Sequence, residues 1–362
     1  MTVEAALASE RSRIREMATW GRLALRVPAL TLLLAVTSIA GVFWIAGADI
    51  PAAFAALAEG AFGSQHAILE TLTRAIPLML TGASVAFAAR ARLWNIGAEG
   101  QLFAGAIAGY AMARTVPAPG WIAFPMILFA GFAGGAAYAG LAGVLKVRRG
   151  VSEVISTVML NYIALLVLSL LLLNGPWSDP GSAYEQTALV PKATEFPLLA
   201  AHSHLHAGLL VALAACAAIH FIIGRTSLGY DIRAFGLNPT AFAAKMGNSS
   251  RLVLIVMAIS GGLAGLAGVG EVFGTHHRLL SGISAGYGYT GISLAILVRL
   301  NQLGIVIGSI LFGGIVSAAI KMQILAGVPS AASYLIQALI LLAFLVAGAA
   351  WERHQGGRGH VE

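Results

Sequence analysis

Ten apolar runs separated by short polar links leave this chain few ways to fold. They lie near 28–47, 73–89, 96–113, 120–143, 152–173, 207–224, 252–270, 303–320 and 333–350, with a shorter Gly-rich run near 285–298. Most approach the roughly 17–25 residues that an α-helix needs to cross the hydrocarbon of a bilayer. In lipid every backbone N–H and C=O must be satisfied within the protein, so serial runs of this length fold as helices. Composition excludes a soluble alternative. Only 10% of residues are charged and 58% are hydrophobic, and the mean hydropathy is +0.84, whereas a soluble domain carries about a quarter charged residues. The expected fold is an all-α polytopic membrane protein of about ten transmembrane helices, with one broken or re-entrant segment at the Gly-rich run.

Charge placement orients the chain. With the N-terminus cytoplasmic, the inside segments are a basic arm at 1–27, the link 90–92, 146–149, a loop at 225–251, Arg299 and a tail at 351–362. They hold 17 of the 22 Lys and Arg, leaving Arg74, Arg114, Lys192, Arg278 and Lys321 outside. This is the bias of the positive-inside rule, and it requires the Gly-rich run to cross, so that both termini are cytoplasmic. The membrane domain then covers 28–350, with an outer loop at 174–206. Ala46-Gly47-Ala48 resembles a signal-peptidase site, but the preceding run exceeds the usual h-region and predicts an uncleaved anchor. The +7 formal charge is not arranged as a basic stripe with interleaved aromatics, so no nucleic-acid partner is expected.

Three polar interruptions carry the chemistry. In Asn95-Ile96-Gly97-Ala98-Glu99-Gly100-Gln101, three hydrogen-bonding side chains and two glycines stand where a membrane helix should begin. Intramembrane carboxylates and amides are costly and tend to mark pathways. Asn95, Glu99 and Gln101 are therefore expected in a substrate path or gate, the plainer alternative being Glu99 paired with Arg90 or Arg92 while Asn95 caps the helix. In 152–162, Glu153, Thr157 and Asn161 fall at i, i+4 and i+8 and share a helix face. Such a stripe faces protein or water rather than lipid, as part of the path or as interhelical hydrogen bonding. Between Gly282 and Gly291, Tyr287 and Tyr289 stand among glycines, a composition tolerable in a membrane only where the backbone is buried or lines a cavity. They are expected either to stack on a planar or sugar-like ligand or to form an interfacial belt.

Other features read as structure. Gly131, Gly135, Ala139 and Gly143, and Gly261, Gly265 and Gly268, are spaced for close helix packing. Cys216, the one cysteine, lies in an apolar run and is expected to be packed. His202, His204 and His206 lack a carboxylate constellation, so no metal site is expected. Residues 225–251 leave the membrane yet keep helical apolar spacing at Ile232, Phe235, Ala241 and Ala244, and Asn238-Pro239 reads as the N-cap and first residue of a short amphipathic helix. No Gly-Lys dipeptide is present, hence no P-loop. There is also no nucleophile elbow or zinc helix, so no catalytic residue is assigned and the chain is not expected to be an enzyme.

Four stretches in order resemble the permease subunits of bacterial ABC importers, in the branch handling nucleosides and simple sugars: Leu93 to Gln101, Ser152 to Tyr162, Arg233 to Pro239, and Gly286 to Ile292 continuing to Asn301. Trp94 occupies a place where that family often has Phe. The resemblance implies a multi-pass protein of the bacterial cytoplasmic membrane and a path for a small polar solute, a nucleoside first. Monosaccharide and branched-chain amino-acid permeases are alternatives of the same plan, and an ion-coupled secondary transporter is the alternative from another class. It further implies a separate ATPase that binds ATP and Mg, with no cofactor in this chain. A second related permease and an external lipoprotein of the basic-membrane-protein type would complete the assembly. The 225–251 loop would couple to the ATPase, through Arg233, Gly236, Asn238 and Pro239.

Overall fold

The computed structural model describes residues 29–356 apart from 117, 174 and 246. The basic arm at 1–27 and the end of the tail lie outside the described residues. Each apolar run is a helix. In chain order these are α1 (Ala29–Ile45), α2 (Ile50–Phe62), α3 (Gln65–Arg90), α4 (Ala98–Thr115), α5 (Gly120–Arg149), α6 (Glu153–Leu172), α7 (Gly208–Arg225), α8 (Ser227–Leu237), α9 (Pro239–Lys245), α10 (Ser249–Gly270), α11 (Tyr287–Leu297), α12 (Gln302–Ala326) and α13 (Ala332–Gly356). No strand forms among the described residues beyond two isolated bridges. Six helices are long and apolar enough to cross a membrane, or seven spans if the sharply bent pair α1–α2 is one; α11 and α13 are shorter apolar helices. The chain is thus the all-α polytopic protein its composition demands. Helix α2 is an addition to the sequence reading, started by Asp49, whose Oδ2 accepts from the Ala52 amide at 3.3 Å.

Two compact units are formed, one of residues 57–318 and one of the described parts of 29–56 with 319–356. In the smaller, α1 ends at Gly47, which takes a left-handed φ of 71°, and Phe43 meets Phe54 edge-on at 5.1 Å. In the larger, α3 and α10 are the most buried helices. The small-residue stripes do what their spacing predicts. Gly131 and Gly135 of α5 press on Gly261 and Gly265 of α10, and Gly105 of α4 reaches Gly265 as well. Backbones come this close only without side chains between them. Gly265→Leu is therefore expected to cost at least about 1–3 kcal/mol, read as a lower Tm in detergent, while Gly140→Ala, where a Cβ meets nothing within 4 Å, leaves Tm unchanged.

The segment that precedes α7 is tied down by its backbone. Thr187 N–H donates to Leu279 O at 2.9 Å, Val190 N–H to His277 O at 2.8 Å, and Phe196 N–H to Phe273 O at 2.9 Å. Beneath it His206 is fully buried, edge-on to Phe196 at 5.8 Å. Its Nδ1 accepts from the Gly208 amide at 3.1 Å, so Nε2 carries the proton of the neutral ring. Burial, and secondarily the charge of His277, push its pKa down from 6.5 to about 4. The native ring thus stays neutral where an unfolded one binds a proton. The stability this gives is full above pH 6.5 and is lost as pH falls from 6.5 towards 4, a loss of about 2 kcal/mol by pH 5. Tm is expected to drop between pH 7 and 5, and less so in His206→Gln.

At the opposite end, α8 and α9 form a helical turn under the bundle. Thr226 caps α8 by accepting from Gly229 N–H at 3.2 Å. Asn238 Oδ1 accepts from Ala241 N–H at 3.0 Å, so α9 starts at Asn238-Pro239 as the sequence predicts. Ile232, Phe235 and Phe242 enter one core cluster with Phe87, Val253 and Met257, and Phe235 and Phe242 meet edge-on at 5.8 Å. The buried register thus passes through Phe242, whereas Ala241 and Ala244, expected on the apolar face, are exposed.

Candidate functional site

Helix α3 ends at Arg90 and α4 begins at Ala98, and the intervening link turns through Arg92 in a left-handed conformation, φ 53°. A helix start leaves its first N–H groups without intrahelical acceptors. Here these groups lie inside the protein, and other helices supply the acceptors. Gly100 N–H of α4 donates to Asn161 Oδ1 of α6 at 2.8 Å, while Asn161 Nδ2 donates to Ile96 O at 2.9 Å. Ile96 N–H reaches Thr157 Oγ1 at 3.3 Å. One turn of α6 therefore caps α4 from outside. A Cβ at Gly100 would stand 2.9 Å from Asn161 Cα, which is why a glycine occupies that position.

The same device repeats one helix further on. Gly286, at φ 79°, precedes α11, and Gly288 N–H donates to Glu99 Oε2 at 2.7 Å. The Ser284 hydroxyl also bonds Glu99. A carboxylate at a helix N-terminus meets both the orphan amides and the positive end of the helix dipole. Glu99 thus caps α11 from α4, as Asn161 caps α4 from α6. It pairs with neither Arg90 nor Arg92; Arg90 instead donates to Leu300 O at 2.8 Å.

Asn95 and Gln101 close the link. Their amides bond reciprocally, Asn95 Nδ2 to Gln101 Oε1 and Gln101 Nε2 to Asn95 Oδ1, both at 2.8 Å. Asn95 Oδ1 also accepts from Gly97 N–H at 3.0 Å. From α10, Ser260 accepts from Asn95 Nδ2 at 2.8 Å and donates to Ser84 O of α3 at 2.8 Å. Glu153 pairs with Lys146 Nζ at 2.6 Å and accepts from Trp94 N–H at 3.4 Å.

Of the eight path residues expected from sequence, the structure buries seven. Asn95, Glu99, Gln101, Glu153, Thr157 and Asn161 meet in this bracket. Tyr287 is buried further out, where Arg74 Nη1 bonds its hydroxyl at 3.5 Å. Tyr289 is half-exposed, its hydroxyl 3.5 Å from Asn161 Nδ2. At the 225–251 loop, Gly236 packs on the Arg90 carbonyl and the Arg233 guanidinium bonds Ile223 O, while Asn238 and Pro239 are exposed. Two participants escape sequence reasoning altogether. Ser260 is an ordinary serine in an apolar run. Arg74 lies nine residues into α3, about 14 Å from the start of the helix at 1.5 Å per residue.

Residues 67–345 match the family of the permease component of branched-chain amino acid transport systems. The chain belongs to this family. The permease is 33% identical over 322 residues to the guanosine ABC transporter permease protein NupP of Bacillus subtilis, covering 88% of this chain and 92% of that protein. It is 33% identical over 358 residues to the glucose ABC transporter permease protein TsgB13 of Haloferax volcanii, covering 95% and 92%. It is 34% identical over 262 residues to the nucleoside ABC transporter permease protein NupB of Lactococcus lactis, covering 70% and 72%. No solved structure matches the permease.

Proposed function

We propose that the permease forms, with a second related permease, the translocation path of an ABC importer in the bacterial cytoplasmic membrane, and that its solute is a nucleoside. A separate ATPase binds ATP and Mg, and an external lipoprotein delivers the solute to the outer mouth. The observation that carries the solute class is the 33–34% identity to relatives named for guanosine and for nucleosides. One finding favours a second reading: the glucose permease is equally similar over still more of the chain, and it points to a monosaccharide.

Transport by alternating access needs an element with two arrangements that the partners bias. Helix α11 is suited to this role because its start is held partly from another helix, by Glu99 of α4 at Gly288 N–H, and only partly by its own flank, where Ser284 accepts from Tyr287 N–H at 3.2 Å. In this reading Asn95, Glu99, Gln101, Glu153, Thr157 and Asn161 frame the gate, and Tyr287 and Tyr289 line the path. Asn238 and Pro239 touch the ATPase, while Arg233 and Gly236 hold α8 against α7 and the end of α3. The test is uptake of labelled guanosine by cells that lack other nucleoside transport and express this chain with the products of its neighbouring transport genes. Saturable uptake, competed by nucleosides and not by glucose or leucine, is the expected result. Uptake of glucose or leucine in its place would sink the nucleoside assignment.

A further inference from the structure

A second polar cluster lies in the outer part of the larger unit, away from the bracket. Arg74, inside α3, bonds Glu70 through Nε at 3.0 Å and the Tyr287 hydroxyl through Nη1 at 3.5 Å. Beyond α10 the chain makes a π-turn, Glu271–His276, the kind of helix defect often found at functional sites. It places Glu271 close enough for its charge to act on Arg74 and 3.5 Å from His276 Nε2. Glu271 is 3% exposed, yet its Oε2 has only this long contact with His276 and accepts no well-formed hydrogen bond, and the buried hydroxyl of Thr275, four residues on, makes none either. The rim is open, since the Arg74 and His276 side chains are each about a third exposed. A buried carboxylate oxygen held only by one long contact to a histidine is costly, and charged groups inside a membrane span mark solute paths by default.

We propose that Glu271, Arg74 and Tyr287 form a contact site for the vicinal diol of a hydroxylated ring. A carboxylate accepts from sugar hydroxyls, while a guanidinium and a phenol donate to the same oxygens, which matches hydroxyls that both donate and accept. A zwitterionic amino acid fits less well, because Glu70 already pairs with Arg74 and His276 lies against Glu271. In naming ribose as the ring, the inference rests on the nucleoside reading; the diol contact does not.

The experiment uses the complete importer in proteoliposomes, with labelled guanosine and labelled 2′-deoxyguanosine, which lacks one hydroxyl of the diol. The external protein is the same in every arm, so its own preference cancels in the variant-to-wild-type ratio. Glu271→Gln and Tyr287→Phe are expected to lower guanosine import about tenfold and 2′-deoxyguanosine import less than threefold, as loss of a hydroxyl-reading contact does. Equal loss of both, or no loss of either, would overturn the diol site; the isosteric Tyr287→Phe guards against a folding defect in Glu271→Gln. If the wild-type importer takes up glucose and no nucleoside, the nucleoside reading fails by itself. The same comparison, run with glucose and 2-deoxyglucose, then supports the diol site if the ratios diverge and overturns it if they do not.

Discussion

Glu99→Ala is expected to cut import at least tenfold and to lower Tm while the chain still inserts. The carboxylate is nearly buried and its Oε2 receives the Gly288 N–H at 2.7 Å. Removing it leaves that amide without an acceptor where no water competes, at a cost of about 1–3 kcal/mol for an orphaned group. The negative charge at the start of α11 is worth about another 0.3–1 kcal/mol through the helix dipole. Glu99→Gln keeps an acceptor oxygen and loses only the charge, so it should fall between wild type and Glu99→Ala. Asn161→Ala is expected to act at the same point, because it orphans both Gly100 N–H and Ile96 O. Asn161→Asp keeps the acceptor for Gly100 but sets a carboxylate against Ile96 O, and should be no better than alanine. Asn161 caps the first turn of α4, and Glu99 reaches α11 from that same turn, so their effects on Tm should not add. A double-mutant coupling of at least about 0.5 kcal/mol is expected, and strict additivity with unchanged import would show that the two caps do not form one bracket.

Much of this site is legible in the sequence because a membrane makes polar residues conspicuous. The 95–101 and 153–161 segments stand out for that reason, and the apolar runs locate the helices to within about three residues at most ends, whereas α3 starts eight residues earlier and α5, α12 and α13 each run six residues further. What the sequence does not carry is who pairs with whom. Arg90 and Arg92 are the near cations for Glu99 along the chain, but its acceptor role is filled by a backbone amide of α11, 189 positions away. Backbone amides have no residue signature, so a cap supplied from another helix is invisible until the helices are packed. The start of α3 is missed because the apolar run starts at Thr73, whereas the helix starts at Gln65 with Ser64 as its N-cap. Helix α2 is missed since Ala-rich segments broken by single charges do not register as a span. The burial of His206 depends on Phe196 of its own loop and on the 273–277 stretch, which is far from that loop in sequence.

The second large effect is expected at the α8–α9 turn, where the structure divides the four residues proposed for coupling into two kinds. Gly236 and Arg233 belong to the folding of α8: a Cβ at Gly236 would run into the Arg90 backbone carbonyl, and the Arg233 guanidinium ties α8 to the end of α7. Asn238 and Pro239 are exposed, next to Leu237, which is 77% exposed at the tip between α8 and α9. A docking contact uses the exposed tip, and the buried pair only sets its position. Leu237→Asp and Pro239→Gly should leave the Tm of the isolated permease unchanged, since neither residue enters the core cluster. In the assembled importer they should cut import more than tenfold and uncouple ATP hydrolysis from solute delivery. Gly236→Ala should instead lower Tm first and lose coupling only as a consequence, because the added Cβ overpacks a buried backbone contact at about 1–3 kcal/mol. Phe235→Ala, which opens the cluster shared with Phe87 and Phe242, should behave the same way. Undisturbed coupling in Leu237→Asp and Pro239→Gly would move the ATPase contact elsewhere on the cytoplasmic face. A fall in Tm in those two variants would show that the tip is a structural part of the permease and not its docking point.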